Sequence, residues 1–302
     1  MVRRRWFLVF ALCVFLLGAG NTRAATNHRI GVSLLTQEHQ FYKDLEVGLQ
    51  EQAVKYGDKL MISYGEFDHR AQVGQIEEFV AKKVDALLIA PCDSKAIGDV
   101  IVKANQAGIP VFTVDIANLS GKGKVIAHIA SDNLEGGRQA GRLMVKALKG
   151  KGKVVIINHP NITSVMERVA SFKECLHAYP GMQIIADIPA WGQRNRAMAI
   201  MEDLLLMMPE LNGVFAINDD SALGALRAIE AAGMADEVVI VGYDATPESR
   251  IAIENGKIYG DVIQYPREIG RLAMKTVQDH LEGRPVKSYI PVKVGIYTSA
   301  NH

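Results

Sequence analysis

The sequence predicts an α/β protein built from two similar, doubly wound parallel-sheet lobes. Three observations carry that prediction. Short apolar runs alternate with helical patterns from Arg29 onward. The second half of the chain repeats the plan of the first. Several of the apolar runs end in hydrogen-bonding side chains, where an open parallel sheet places its binding residues.

Residues 30–35 read as the first strand. Phe41, Leu45, Leu49, Ala53 and Tyr56 then recur at helical spacing and mark one face of a helix closed by Gly57. Residues 60–64 are the next strand, and Val73, Ile76 and Val80 mark the next helix. Residues 86–90 and 110–114 are further strands, with a helix between them that ends at Ala107-Gly108. Glycine after a helix supplies the left-handed cap that residues with a β-carbon resist. Strands separated by helices of this length call for parallel pairing through right-handed crossovers.

The second half begins with Leu134, Gly137, Gly141, Met144 and Leu148 on one helix face, followed by a strand at 154–157. A helix near 166–178, a strand at 183–188 and a helix near 196–207 come next. Residues 214–217 form a strand, a helix ends at Ala232-Gly233, and 238–241 is the next strand. The segment Ala90-Pro-Cys-Asp-Ser-Lys-Ala-Ile-Gly98 lies 126 positions before Ala216-Ile-Asn-Asp-Asp-Ser-Ala-Leu-Gly224, with Ala, Asp, Ala and Gly identical. Each leads through a helix with an Ala-Gly end to a strand that ends in aspartate, Asp115 or Asp244. The shared order makes two related lobes the better reading than a chance match of two βαβ units.

The residue after each apolar run is a candidate for binding. These are Asp115, Asn158 and His159, Asn218, Asp244 and Gln264. Each also fits a structural role. Asp115 and Asp244 fit turns or caps, Asp219 and Asp220 fit the start of the 221–232 helix, and Arg168 fits a surface charge. Trp191 fits core packing, and Phe41 with Tyr42 fits a hydrophobic staple. Their joint placement favours a small polyhydroxylated ligand. A carboxylate accepts from neighbouring hydroxyls, a guanidinium donates in a planar fork, and the amides of Asn218 and Gln264 do both. Rings at Phe41, Tyr42 and Trp191 can cover the C–H faces of a sugar.

Composition narrows the class. The chain has 302 residues, 49% hydrophobic and 22% charged, with 34 basic and 33 acidic side chains, which excludes disorder and disfavours nucleic-acid binding. Residues 1–24 read as an export signal: Arg3, Arg4 and Arg5 precede an apolar stretch from Trp6 to Ala19, and small residues follow for cleavage after Ala24 or Ala25. The stretch is short for a membrane span of about 20 residues. Arg4-Arg5-Trp6-Phe7-Leu8 partly resembles a twin-arginine signal, although the core suits ordinary secretion. Removing the leader with its four arginines takes the formal charge from +1 to −3. Cys92 and Cys175 remain, in different lobes, and read as two buried thiols. No metal-ligand spacing occurs among the eight histidines, so neither a metal nor a cofactor is expected.

The chain resembles the periplasmic sugar-binding proteins of the ribose-binding type, which feed ABC importers. The resemblance runs from about Ile30 to Val294. It is carried by Asp85-Ala-Leu-Leu-Ile-Ala-Pro-Cys-Asp-Ser94, Ala104-Asn-Gln-Ala-Gly-Ile-Pro-Val-Phe-Thr-Val-Asp115, His128-Ile-Ala-Ser-Asp-Asn133, Asn218-Asp-Asp-Ser-Ala-Leu-Gly-Ala-Leu226 and Val241-Gly-Tyr-Asp-Ala-Thr-Pro247. It implies a three-crossover hinge, near 130–132, 263–266 and 289–292. The N-terminal lobe is then 25–130 plus 265–291, and the C-terminal lobe is 131–264 plus 292–302. It also implies ligand contacts at Phe41, Tyr42, Asp115, Arg168, Asn218, Asp244 and Gln264, with Trp191 near the other stacking aromatic. Three departures point away from ribose. Ile116 stands where ribose binders carry arginine, Leu35 replaces a small hydroxyl residue, and His39 replaces an asparagine. A deoxy sugar, another pentose or hexose, or a less hydroxylated polyol fits at least as well. His39 is an alternative donor or a solvent-facing residue.

The resemblance implies a monomeric periplasmic solute-binding protein that delivers its ligand to an ABC transporter permease. Signalling through a chemoreceptor or sensor kinase shares the fold and is the alternative. A cytoplasmic repressor fails, since no helix-turn-helix precedes Arg29 and an export signal does. An enzyme lacks support. GxSxG, HExxH and Walker motifs are missing, and Gly121-Lys-Gly-Lys124 and Gly150-Lys-Gly-Lys153 read as surface turns. Asp115 and Asp244, taken as a glycosidase acid/base pair, show no evident reason for a raised pKa.

Overall fold

The computed structural model describes residues 27–300, so the expected signal segment at 1–24 lies outside the described residues. Strand β1 (Arg29–Leu34) leads into helix α1 (Gln40–Tyr56), which stops at Gly57 with φ 76°. Then follow β2 (Lys59–Tyr64), α2 (His69–Ala81), β3 (Ala86–Ile89), α3 (Gly98–Gln106), β4 (Val111–Val114) and β5 (His128–Ser131). The chain next builds α4 (Asn133–Ala147), β6 (Lys151–Asn158), α5 (Thr163–His177), β7 (Gly181–Pro189), α6 (Arg194–Met207) and β8 (Gly213–Ala216). It continues with α7 (Asp219–Ala231), β9 (Val239–Asp244), α8 (Pro247–Glu254) and β10 (Gly260–Ile263). It ends with α9 (Pro266–Leu281), β11 (Tyr289–Val292) and β12 (Gly295–Thr298).

Two six-stranded sheets result. One has the order β11-β5-β4-β3-β1-β2, the other β12-β10-β9-β8-β6-β7. Position for position, β1 corresponds to β6, β3 to β8 and β4 to β9. The repeat found in the sequence therefore occupies the same place in each sheet. All pairings are parallel except β10 with β12, which is antiparallel. The central strands β3, β4 and β8 are buried at every residue, as strands covered by helices on both faces must be.

Helices in each lobe meet in backbone contact, and glycine makes these contacts possible. A β-carbon at Gly48 in α1 would sit 2.1 Å from the Arg267 carbonyl oxygen of α9. One at Gly137 in α4 would sit 2.1 Å from the Arg168 carbonyl oxygen of α5.

The chain passes between the sheets after β5, after β10 and between β11 and β12. The third passage lies at 293–294, beyond the expected 289–292, because Tyr289–Val292 is itself a strand paired with β5. Other details also differ from expectation. Leu134 is 46% exposed, and the buried stripe of α4 runs instead through Gly137, Ala140, Gly141 and Met144. Cys92 is buried but Cys175 only half-buried, and both are free thiols. Gly150 forms the expected turn, yet Lys151 already opens β6. Among the described residues, no helix is long and apolar enough to cross a membrane.

Candidate functional site

A narrow cleft lies where the strand ends of the two lobes face each other. The first lobe contributes Leu35 after β1, His39, Phe41 and Tyr42 at the start of α1, and Asp115 after β4. The second contributes His159 and Ile162 after β6, with Ser164, Val165 and Arg168 from the first turns of α5. It also supplies Ile217 and Asn218 after β8, Asp244 at the end of β9 and Gln264 after β10.

Arg168 is the fixed centre of the polar side. It is 4% exposed and held by three partners. Nε donates to Asn133 Oδ1 at 2.9 Å, Nη1 donates to the Ile217 carbonyl at 3.0 Å, and the guanidinium lies 3.9 Å from the centre of the Tyr243 ring. Such a cradle pre-sets the planar fork before a ligand arrives. Asp115 accepts from the Tyr42 hydroxyl through Oδ2 at 2.6 Å, while its buried Oδ1 has no donor among the described residues. Asp244 accepts from Gln264 Nε2 at 2.6 Å, and Gln264 in turn accepts from Ser131 Oγ at 2.6 Å. The Asp115 and Asp244 carboxylates occupy matching places in the two sheets, and both have left-handed backbones, φ 60° and 119°. Strain of this kind costs about 1–3 kcal/mol and persists where the surroundings enforce it.

Burial pushes both carboxyls above the ordinary range, and the Arg168 guanidinium opposes the rise in each. Asp244 reaches about 7. This corrects the expectation that neither has a reason for a raised pKa. Because the folded value lies above the unfolded one, the contribution of Asp244 to stability is full below about pH 4. It is then lost as pH rises towards 7. Urea unfolding of the free protein at about pH 5 and about pH 7.5 should show lower stability at the higher pH. Asp244→Asn should shrink that difference by up to about 1.4 kcal/mol per pH unit. An unchanged difference would mean that Asp244 stays ionised throughout.

Asn218, rather than Asp219 or Asp220, caps α7. Its extended backbone turns Oδ1 onto the Ser221 N–H at 3.0 Å. Nδ2 donates to the Gly192 carbonyl at 3.1 Å, which leaves one amide hydrogen for the cleft. Asp220 pairs with Arg194 at 3.1 Å, and His39 Nε2 approaches Asp220 at 3.8 Å from the other lobe. Burial holds His39 and His159 below the usual histidine range, His159 at about 4, so both are neutral donors or acceptors at neutral pH.

Trp191 does not line the cleft. It stands edge-on to His159 with ring centres 5.7 Å apart, and His159 is the ring that faces the space. Of the three departures, Leu35 and His39 line the cleft, whereas Ile116 is fully buried in the core of the first lobe. Ser164, Ile162 and Val165 were not singled out in the sequence. Their signal was position alone, in the loop and first helical turn after a strand whose terminal Asn158-His159 had been noted.

The lobes are closed on one another beside this cleft. Ser94 N donates to the Asn161 carbonyl at 3.0 Å, Thr163 N to Ser94 Oγ at 3.0 Å, and Ala117 N to Thr163 Oγ1 at 2.7 Å. The periplasmic binding protein domain matches residues 30–285.

The chain belongs to the periplasmic binding protein family.

Among its relatives, the ribose import binding protein of Escherichia coli strain K12 is 34% identical over 273 residues, covering 90% of this chain and 91% of that protein. A solute-binding protein from Agrobacterium vitis, solved with α-D-tagatopyranose, superposes with a TM-score of 0.86 at 29% identity, covering 91% of this chain and 96% of its own. A fructose-binding periplasmic domain of a hybrid two-component system superposes with a TM-score of 0.86 at 28% identity, covering 91% and 92%. All three of these relatives are binding proteins or binding domains.

Proposed function

We propose that this periplasmic binding protein captures one monosaccharide or sugar-like polyol between its lobes and delivers it to an ABC transporter permease. The observation that carries the reading is the pre-set Arg168 fork in a cleft shared with Asp115 and Asp244, where Asp115 Oδ1 is buried with no donor among the described residues. A vicinal diol answers that pattern: its hydroxyls donate to the carboxylates and accept from the guanidinium. Leu35, Ile162, Val165 and Ile217 give the cleft an apolar side with no donors, which favours a ligand with a less hydroxylated edge over ribose. His39 and His159 supply the remaining ring nitrogens, and Trp191 acts on the ligand through His159. The protein works as an exported monomer after loss of residues 1–24, and no chemistry is performed on the sugar.

Native mass spectrometry of the freshly purified protein should reveal a co-purified sugar. A thermal-shift panel of pentoses, hexoses, deoxy sugars and polyols should then raise the melting temperature with at least one member, by mass action. Phe41→Ala, at a ring that lines the cleft, should weaken binding by about tenfold or more, and Trp191→Ala by less. No shift across the panel would overturn the reading.

A signalling output has one observation in its favour, the likeness to a sensor's fructose-binding domain. Deleting the gene separates the two outcomes: loss of uptake marks transport, and loss of response with uptake intact marks sensing.

A further inference from the structure

Next to Asp244, two more carboxyl groups are sealed inside the second lobe. Asp219 opens α7 and is 1% exposed, and Asp261 in β10 is fully buried. Neither lines the cleft. Asp219 Oδ2 accepts from the Thr246 N–H at 2.6 Å, and Asp261 Oδ2 accepts from the Ser249 hydroxyl at 2.5 Å. The Asp261 carboxyl also accepts from the backbone N–H groups of Gly242 and Ala245. The two carboxyls are in hydrogen-bond contact with each other, yet Oδ1 of each has no donor from any other described residue.

Among the described residues, the surroundings offer no cation in compensation. Strand β9 presents Asp244, a third acid, whose carboxyl accepts from the Asp219 N–H. Helix α8 presents Ser249. Strand β12 places Tyr297 opposite Asp261, with its hydroxyl bonded to Glu254 and Arg250 over its ring. Arg194, beside the start of α7, is engaged by Asp220 and Glu248. Two ionised carboxylates in contact cannot both stay buried, and one proton between them removes the repulsion and satisfies both orphaned oxygens.

We propose that Asp219 and Asp261 share one proton and, through it, hold the 244–246 turn that aims Asp244 into the cleft. They are positioning residues for ligand capture, and the inference rests on Asp244 being a ligand contact. The turn needs such a hold. Asp244 and Ala245 have φ of 119° and 55°, a pair of conformations that only tight bonding sustains in non-glycine residues. Thr246 is tied by Asp219, and Ala245 by Asp261, so every residue of the turn depends on the pair or on the α7 start that carries it. Burial raises both acids, and the charges of Asp261 and Asp244 raise Asp219 further, so Asp219 is the member that keeps the proton and donates it to Asp261. The hold is therefore present at low and neutral pH and is lost as pH rises through the raised value.

Two measurements on the mature protein test this. The infrared spectrum at neutral pH, taken as wild type minus Asp219→Asn, should contain a protonated-carboxyl C=O band, and the difference with Asp220→Asn should not. Taking differences cancels the contributions of Asp115 and Asp244. The second is calorimetric titration from neutral to alkaline pH with D-ribose, D-allose, D-tagatose, myo-inositol and xylitol as probes. The wild-type affinity for whichever binds should weaken by about tenfold at the alkaline end. Asp219→Asn donates permanently through its amide, so it should bind as wild type at neutral pH and lose the alkaline weakening. Asp261→Ala should weaken binding by about tenfold at every pH. A missing difference band, or superimposable pH profiles for wild type and Asp219→Asn, overturns the proposal. If neither these probes nor any member of the thermal-shift panel binds, the sugar reading fails while the band still decides whether the proton is shared.

Discussion

Arg168→Ala should abolish ligand binding, lowering affinity by two orders of magnitude or more. The guanidinium is buried against Asn133, the Ile217 carbonyl and the Tyr243 ring. It is also the one group that lowers both Asp115 and Asp244 against the desolvation that raises them. Removing one partner of such a buried arrangement costs about 3–5 kcal/mol, which corresponds to roughly a hundredfold or more in Kd. Alanine also leaves Asn133 Oδ1 and the Ile217 carbonyl without a donor, so the variant should lose stability as well. Arg168→Lys separates the two effects. It keeps the charge and loses the planar fork, and should fold normally while binding at least about tenfold more weakly. Arg194→Ala, at a half-exposed ion cluster that does not line the cleft, should leave affinity nearly unchanged. Calorimetric titration of the three variants, with circular dichroism to confirm folding, decides the matter. Undiminished binding in Arg168→Lys and Arg168→Ala would remove Arg168 from the site.

How far the sequence could be read depended on burial. Strands such as Ala86–Ile89 and Val111–Val114 are buried at every position, so they appear as unbroken apolar runs and were found to within a residue. Two of the edge strands, β11 and β12, gave no such run. Tyr289–Val292 contains Pro291 and buries only Val292, and Gly295–Thr298 buries only Tyr297. Helix α9 was missed although its signal was present, with Pro266 at the start and Ile269, Ala273, Met274 and Val277 on the buried face. At the site, Asp115, Asn218, Asp244 and Gln264 followed from their places after strands. The start of α7 was assigned to Asp219 and Asp220 although Asn218 caps it, because three successive residues all suit a cap. Only the backbone decides: Asn218 is extended at φ −154°, and Asp219 is already helical. The Asp219–Asp261 contact joins residues 42 positions apart in sequence through a sheet crossing, and no local pattern announces it.

Gly137→Ala should be among the most destabilising single-methyl changes in the protein, and should weaken ligand binding as well. In an isolated helix the substitution is favourable by about 1 kcal/mol. Here the new β-carbon would lie 2.1 Å from the Arg168 carbonyl oxygen and 2.1 Å from Ser171 Oγ. A side chain such as Ser171 can rotate away, but a backbone carbonyl inside α5 cannot, so the two helices must part. Four residues on, Gly141 makes the next close approach, with a β-carbon position 2.6 Å from Cys175 Cβ, so the contact cannot be relieved by a small tilt. Overpacking of this kind costs about 1–3 kcal/mol and more where backbone must move. We expect about 3 kcal/mol, outweighing the propensity gain. The displaced residue is Arg168 itself, so the guanidinium that reaches the cleft from α5 shifts with its carbonyl. Gly74→Ala is the control. It lies in α2 with nothing within 4 Å of the added methyl, and should stabilise by about 0.5–1 kcal/mol without touching affinity. Urea unfolding gives the stabilities and calorimetry the affinities. If Gly137→Ala unfolds at the same urea concentration as wild type, the α4–α5 contact is not the rigid support for Arg168 described above.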